Sequence, residues 1–293
     1  MTYQLGLGVR VRLVTVIVGL ASLVWAGGPE LDRALKLYHS TDYAQSLKIL
    51  QAIPAKDGAV YALMGRNYYM QSDYRKATEC LEKAVAADPG NSDYSLWLGR
   101  AYGRRAETSS IFTAPGNASK ARQNFEKSVS LNPRNIEALN DLFEYYLEAP
   151  GFLGGGFDKA TATAERIAGL DAAEGHWAEY KLAEKKKEYR SAEEHLQRAI
   201  ENAPQQVGRL IDLARFLANQ GRYQEAEQNF AKAEKIAPQS ARLLYNRAEV
   251  YVQSGRNLDA ARALLKRYMT LNLTADDPPR SDAAKLLRRV SGV

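Results

Sequence analysis

One cysteine, Cys80, in 293 residues excludes a disulfide within the chain, so any fold must rest on side-chain packing. Cys80 itself reads as a small packing residue. Histidine is nearly as scarce: His39, His176 and His195 lie far apart, none three or four residues from another or from Cys80, so the common metal sites lack ligands. No serine has a histidine and an acid arranged around it, and the acid pairs Glu193-Glu194 and Asp276-Asp277 fall in surface contexts. These gaps argue against an enzyme, and neither metal nor cofactor is expected. There is no long basic run. Lys and Arg number 40 against 34 acids, a net of +6, and nucleic acid is not an expected partner.

Long apolar runs are also missing. The run Leu13 to Val24 falls short of the roughly 20 residues that a membrane span wants. It follows Arg10 and Arg12 and ends at Val24-Trp25-Ala26 before Gly27-Gly28, so residues 1–26 read as a secretory signal peptide, with an uncleaved N-terminal anchor as the alternative. The two arginines are not adjacent and no cysteine follows the run, which argues against twin-arginine export and lipid attachment.

What the chain does have is a beat. Ala192, Ala226 and Ala260 stand 34 residues apart, with Leu196, Phe230 and Leu264 four residues after them and Pro204 and Pro238 twelve after the first two. The same interval separates Gly65 from Gly99 and Tyr68 from Tyr102. Small residues recur where two helices must touch, a large residue fills the gap between units, and proline closes each unit because it cannot continue a helix.

In order, Tyr61, Met64, Gly65, Tyr68, Tyr74, Ala77, Leu81, Ala84 and Pro89 resemble the tetratricopeptide repeat (TPR), a pair of antiparallel helices. That resemblance covers about nine tenths of the chain. It implies an all-α, right-handed TPR superhelix of about seven helix pairs and a C-terminal capping helix over residues 27–293. The first pair spans about Pro29 to Ile53, and the last three occupy about Ala172 to Pro204, Gln205 to Pro238 and Gln239 to Asn272. A final helix follows, Asp282 to Val290, capped by Ser281.

Two interruptions break the beat. Ten extra residues fall near 105–118 and five near 149–156, and each stretch carries Ala-Pro-Gly, at Ala114 and at Ala149. Both are expected as loops side by side on one edge of the stack, where Ile111 and Phe112 of one and Phe152, Leu153 and Phe157 of the other form an apolar lip. The run Gly154-Gly155-Gly156 lacks the Gly-Lys-Ser/Thr ending of a phosphate loop, since Phe157 follows.

In TPR superhelices the first helix of each pair lines the concave face. The matching positions are Arg66, Tyr69, Arg100, Arg104, Asn140, Glu144, Ile211, Arg215, Tyr245 and Glu249. Arginine and tyrosine suit peptide recognition, the one through forked donors and the other through rigid amphipathic area. Arg66 and Arg100 are expected to share a cavity that favours an acidic segment. Ala62 and Arg66 stand where the cytosolic chaperone-binding TPR class has lysine and asparagine, so that specialised function does not transfer.

Residues Leu142 to Lys159 and the tail Asp276 to Pro279 are similar to exported bacterial TPR proteins. The resemblance implies a non-enzymatic scaffold of the cell envelope that binds a protein or peptide, in the periplasm or secreted. The alternative is a component of a secretion or polysaccharide-export machine anchored in the inner membrane, with membrane contact through the N-terminal apolar segment or the loops.

Overall fold

The computed structural model describes residues 28–274, 277–278 and 280–291, so the expected signal peptide lies outside the described residues. Within them the chain is fifteen α-helices, without strands. Seven consecutive antiparallel pairs form: α1 (Gly28–His39) with α2 (Tyr43–Ala52), α3 (Gly58–Met70) with α4 (Tyr74–Ala87), α5 (Ser92–Thr108) with α6 (Ala114–Leu131), and α7 (Ile136–Glu148) with α8 (Phe157–Ala168). They continue as α9 (Ala172–Lys185) with α10 (Tyr189–Asn202), α11 (Val207–Asn219) with α12 (Tyr223–Ile236), and α13 (Ala241–Ser254) with α14 (Leu258–Thr270). Helix α15 (Arg280–Ser291) covers the last pair with Ala283, Leu286 and Val290.

Local chemistry marks where each pair starts. Asp57, Asn91, Asn135, Asp171 and Ser240 each precede a first helix and accept the backbone N–H three residues on, at 2.9–3.2 Å. Each such cap stabilises its helix by about 1 kcal/mol. Within most pairs a three-residue turn reverses the chain through a left-handed residue: Thr41, Ser72, Lys187, Gly221 and Gly255.

Packing explains the small residues of the repeat. A Cβ on Gly65 would stand 2.5 Å from Leu81 Cγ, and one on Gly99 would stand 2.6 Å from the Phe125 ring. Paired helices therefore approach as closely as backbone allows. Ala77, Ala192 and Ala226 are buried at the equivalent contact. The apolar interior is a row of clusters along the stack, as expected where each repeat packs on its neighbours.

Three expectations need correction. First, the alanine beat slips by one in the last pair. Helix α13 runs one residue further than α11, so α14 starts 35 residues after α12. Ala261, Leu265 and Tyr268 are buried completely, whereas Ala260 is exposed. Second, the ten extra residues of the third pair do not form a loop over 105–118. Helices α5 and α6 have 17 and 18 residues against 13 and 14 in α3 and α4, and two more residues lengthen the turn. Pro115 then sits in the first turn of α6, where its missing N–H costs nothing. Third, α15 begins one residue before the expected cap, Ser281.

The five extra residues of the fourth pair do form a loop, and it is pinned. Tyr145 donates its hydroxyl to the Leu153 carbonyl and Lys159 its ammonium to that of Gly154, both at 2.9 Å. Gly155 fits against the Ala149 carbonyl so tightly that a Cβ would lie 1.8 Å from that oxygen. The glycine run is a packing device.

Candidate functional site: the concave groove

The groove is built from the first helices of successive pairs, and its N-terminal half centres on Trp97 of α5. The guanidinium carbon of Arg66 lies 4.9 Å from the centre of the Trp97 ring and that of Arg100 lies 5.2 Å from it. Tyr69 meets the same ring edge-on at 5.5 Å. Two cations against one indole is a strong local preference, because the ring face is electron-rich. Sequence reasoning passed over Trp97; its signal was its place three residues before Arg100, one turn away on the same helix.

Both arginines line one cavity of about 290 Å³, with Tyr38, His39, Tyr43, Asp93 and Glu137. Neither is an unneutralised charge. Arg66 pairs with Asp93 at 3.2 Å, and Arg100 with Asp141 at 2.5 Å and Glu137 at 3.6 Å. Arg104 pairs with Glu107 at 2.5 Å and receives company from Asp282 of α15 at 3.7 Å. Burial pushes the Tyr69 hydroxyl up to about 12, with Arg104 opposing, so it stays protonated.

Further along, the groove is a buried ionic cluster. Asn140 donates to Glu174 at 3.0 Å, and Arg209 reaches the same carboxylate at 2.5 Å while stacking 4.8 Å from the Trp177 ring. Burial works against the charged Glu174, but Arg209 and hydrogen bonds from Gln206 and Asn140 prevail and hold its carboxyl below the usual range. Glu144 differs: crowding by the groove walls raises it, Lys181 opposes, and Asp141, Asp212 and Glu148 add to the rise. It borders a cavity of about 210 Å³ with Lys181 and Arg215. Arg215 and Glu249 pair with each other at 3.3 Å.

Ile211 and Tyr245 are not groove surface. Ile211 is 1% exposed and Tyr245 9%, the latter packed on Tyr268 at 5.5 Å. They occupy equivalent positions in α11 and α13, and both are packed into the apolar clusters of the stack. The lip is also narrower than expected. Ile111, Phe112 and Phe152 stand 81%, 88% and 82% exposed, whereas Leu153 and Phe157 are half-buried, with the Lys186 ammonium 4.7 Å from the centre of the Phe157 ring.

Two arrangements join residues remote in sequence. His176 and His195 come within 3.4 Å, Nδ1 to Nδ1, across the α9–α10 hairpin. Among the described residues no three His, Cys, Asp or Glu side chains group as a metal site, and no helix is long and apolar enough to cross a membrane. Cys80 is buried, which raises its thiol. The second arrangement closes the groove. Tyr43 donates its hydroxyl to the Leu273 carbonyl at 2.8 Å, and Thr41 meets the Asn272 side chain at 3.4 Å. A cavity of about 630 Å³ opens beside this seam, lined by Tyr43, Tyr69, Arg104, Asp277, Pro278 and Arg280 among others.

Comparison with known proteins agrees with this geometry. One tetratricopeptide repeat profile matches residues 183–228 and 217–290, and a second matches residues 58–91. No curated protein matches the sequence. Among solved structures, a tetratricopeptide repeat protein of Parabacteroides merdae is similar over 89% of this chain and 97% of its own, with 15% identity and a TM-score of 0.59. A thermophilic TPR protein of Thermus thermophilus covers 64% of this chain and 97% of its own, at 20% identity and a TM-score of 0.53. The human IFIT1 dimer, solved with PPP-AAAA, covers 82% of this chain and 54% of its own, at 18% identity and a TM-score of 0.52. At such identities the likeness is one of fold. Helix pairs, repeat matches and the stacked array together make this chain a tetratricopeptide repeat protein.

Proposed function

We propose that the protein is a non-enzymatic scaffold of the bacterial cell envelope that holds an extended protein segment in its concave groove. The observation that carries this reading is the pair Arg66 and Arg100, partly exposed and both held against the buried Trp97 ring at the wall of a cavity. Flat aromatic area beside forked donors is the composition of binding hot spots. Because each arginine already has an acidic partner, a guest carboxylate would exchange with Asp93 or Glu137 rather than meet bare charge, which favours selectivity over raw affinity. The envelope assignment is supported by residues 1–26, with their arginines, apolar run and small-residue ending.

Crosslinking in the native envelope tests the reading. Arg66→Glu with Arg100→Glu is expected to abolish the crosslinked partner while the protein still melts cooperatively; undiminished capture would sink the groove as the binding site.

A second reading, a membrane-anchored component of an export machine, draws on the exposed Ile111, Phe112 and Phe152 together with the N-terminal apolar run. N-terminal sequencing separates the two, since a start at Gly27 means cleavage and retention of Met1 means an anchor.

A further inference from the structure

Part of the groove already has a guest, supplied by the chain itself. After α14 the backbone leaves the stack and crosses to the first pair: Asn272 meets Thr41, and the Leu273 carbonyl accepts the Tyr43 hydroxyl. Leu273 and Thr274 border the cavity that holds Arg66, Trp97 and Arg100. Further on, in the first turn of α15, Asp282 stands 3.7 Å from Arg104 while pairing with Lys285 at 2.9 Å. A backbone carbonyl read by a hydroxyl and a carboxylate read by a guanidinium are two means by which a groove recognises an extended peptide.

We propose that this C-terminal stretch is an intramolecular stand-in for the partner, which is an extended segment carrying a carboxylate for Arg104 and bulkier apolar side chains than the tail's own. The proposal rests on the groove reading above and adds to it the partner's chemistry and the requirement that the tail yield.

Three features support it. The ends of the array meet through side chains, since the helices that pack extensively are all close neighbours in the order of the chain. Contacts of that kind part without dismantling a core. Next, the Leu273 side chain is buried among α13, α14 and α15 while its carbonyl faces Tyr43. The tail is thus anchored to its own side and only hydrogen-bonded to the other. Finally, cavities remain beside the seam, one of about 630 Å³ bordered on the tail side by Leu273, Asp277, Pro278, Arg280 and Ser281 and one of about 290 Å³ bordered by Leu273 and Thr274. They are of a size that bound groups occupy in other proteins.

The burial of Tyr43 agrees with a closed seam. Burial pushes its hydroxyl up to about 12, with Tyr38 adding and Arg280 opposing. The hydroxyl therefore stays protonated and able to donate.

A fluorescent peptide with the sequence of residues 271–283 provides the test, titrated by anisotropy against the full chain. In the parent the tethered tail competes at an effective concentration of about 1 mM, so the added peptide binds weakly. Asn272→Ala with Asp282→Ala weakens only the tethered copy and is expected to tighten binding of the unaltered peptide about tenfold. Adding Arg104→Glu to that variant should abolish the gain, as should replacing the peptide's aspartates with asparagine. If the double variant melts early, Asn272→Ala alone, at an exposed site, carries the same comparison.

Equal affinity for parent and tail variant, or no binding to either, would overturn the proposal, and so would indifference to Arg104→Glu. The outcome is separable from that of the scaffold itself. Partner capture that needs Arg66 and Arg100 without peptide competition would keep the groove and remove the stand-in, and the reverse pattern would keep the stand-in and remove the partner site.

Discussion

Neighbouring repeats take up extra residues at equivalent places and resolve them in different ways. In the third pair eight residues lengthen the two helices and two the turn, where Asn117 donates to the Ser109 hydroxyl at 2.9 Å and Ile111 and Phe112 are exposed. In the fourth, five residues make a loop tied down by Tyr145 and Lys159, with Phe152 at its tip. The cause lies in local composition. Residues 105–108, which extend α5, are good or tolerable helix formers, so continuing the helix adds one backbone hydrogen bond per residue, and α6 is extended at its start by Ala114 to Asn117, where Pro115 is tolerated in the first turn. Gly154, Gly155 and Gly156 weaken a helix and instead allow a tight turn, with Gly154 in the left-handed region. Equal position in the repeat thus settles where a feature emerges, and composition settles whether it is rigid helix or pinned loop.

Substitutions can break that contrast, in descending order of effect. Gly155→Ala should be the most damaging, because its Cβ would collide with the Ala149 carbonyl; a loss of about 3 kcal/mol is expected in denaturant melts. A variant as stable as the parent would show that the loop is not held as described. The one-residue slip of the last pair provides the next test. Ala261→Leu should cost about 2 kcal/mol by overpacking a site with no exposure, whereas Ala260→Leu, at an exposed position, should stay within about 0.5 kcal/mol. The reverse order would restore the unbroken 34-residue beat.

Gly116→Ala sharpens the comparison from the other side. Nothing lies within 4 Å of the new Cβ, and the position is helical, so a gain of about 0.5 kcal/mol is expected from reduced freedom in the unfolded chain. A loss would mean that the start of α6 is a loop after all.

The smallest effect is one of pH, in the regular fifth pair. Burial holds the His195 imidazole below its usual 6.5; Glu179 and Glu194 oppose this, and His176 and Arg198 reinforce it. Above 6.5 the ring is neutral in both folded and unfolded chains and contributes nothing. As pH falls below 6.5 the unfolded chain takes up a proton that the folded one resists, so stability declines until the folded value is passed. His195→Gln should flatten that part of the curve of melting temperature against pH; an unchanged slope would assign the decline to other groups.

Much of the architecture was legible in the chain. Small residues at Gly65, Gly99, Ala192 and Ala226, together with closing prolines, are imposed by helix contacts within each pair, so spacing alone reveals them. The slip at the last pair was hidden because Ala260-Ala261 and Leu264-Leu265 are tandem pairs, equally good in either register. Ile211 and Tyr245 were misplaced for another reason: a repeat pattern tells which face of a helix is concave, but not which positions on it are taken up by packing between helices, as Tyr245 is by Tyr268. His176 with His195, and Tyr43 with Leu273, were invisible because nothing in local composition marks partners separated by a hairpin or by the whole array.

The hydrogen bond from Tyr43 to Leu273 also bears on how the array comes apart. An open line of repeats frays from its ends, each terminal unit having only one neighbour. Here the two ends lean on each other, so the first pair and the last share a fate: loosening either exposes the other. Amide exchange in α2 should then slow or quicken together with exchange in α14, which starts 215 residues later in sequence, a coupling that belongs to a circle rather than to a line.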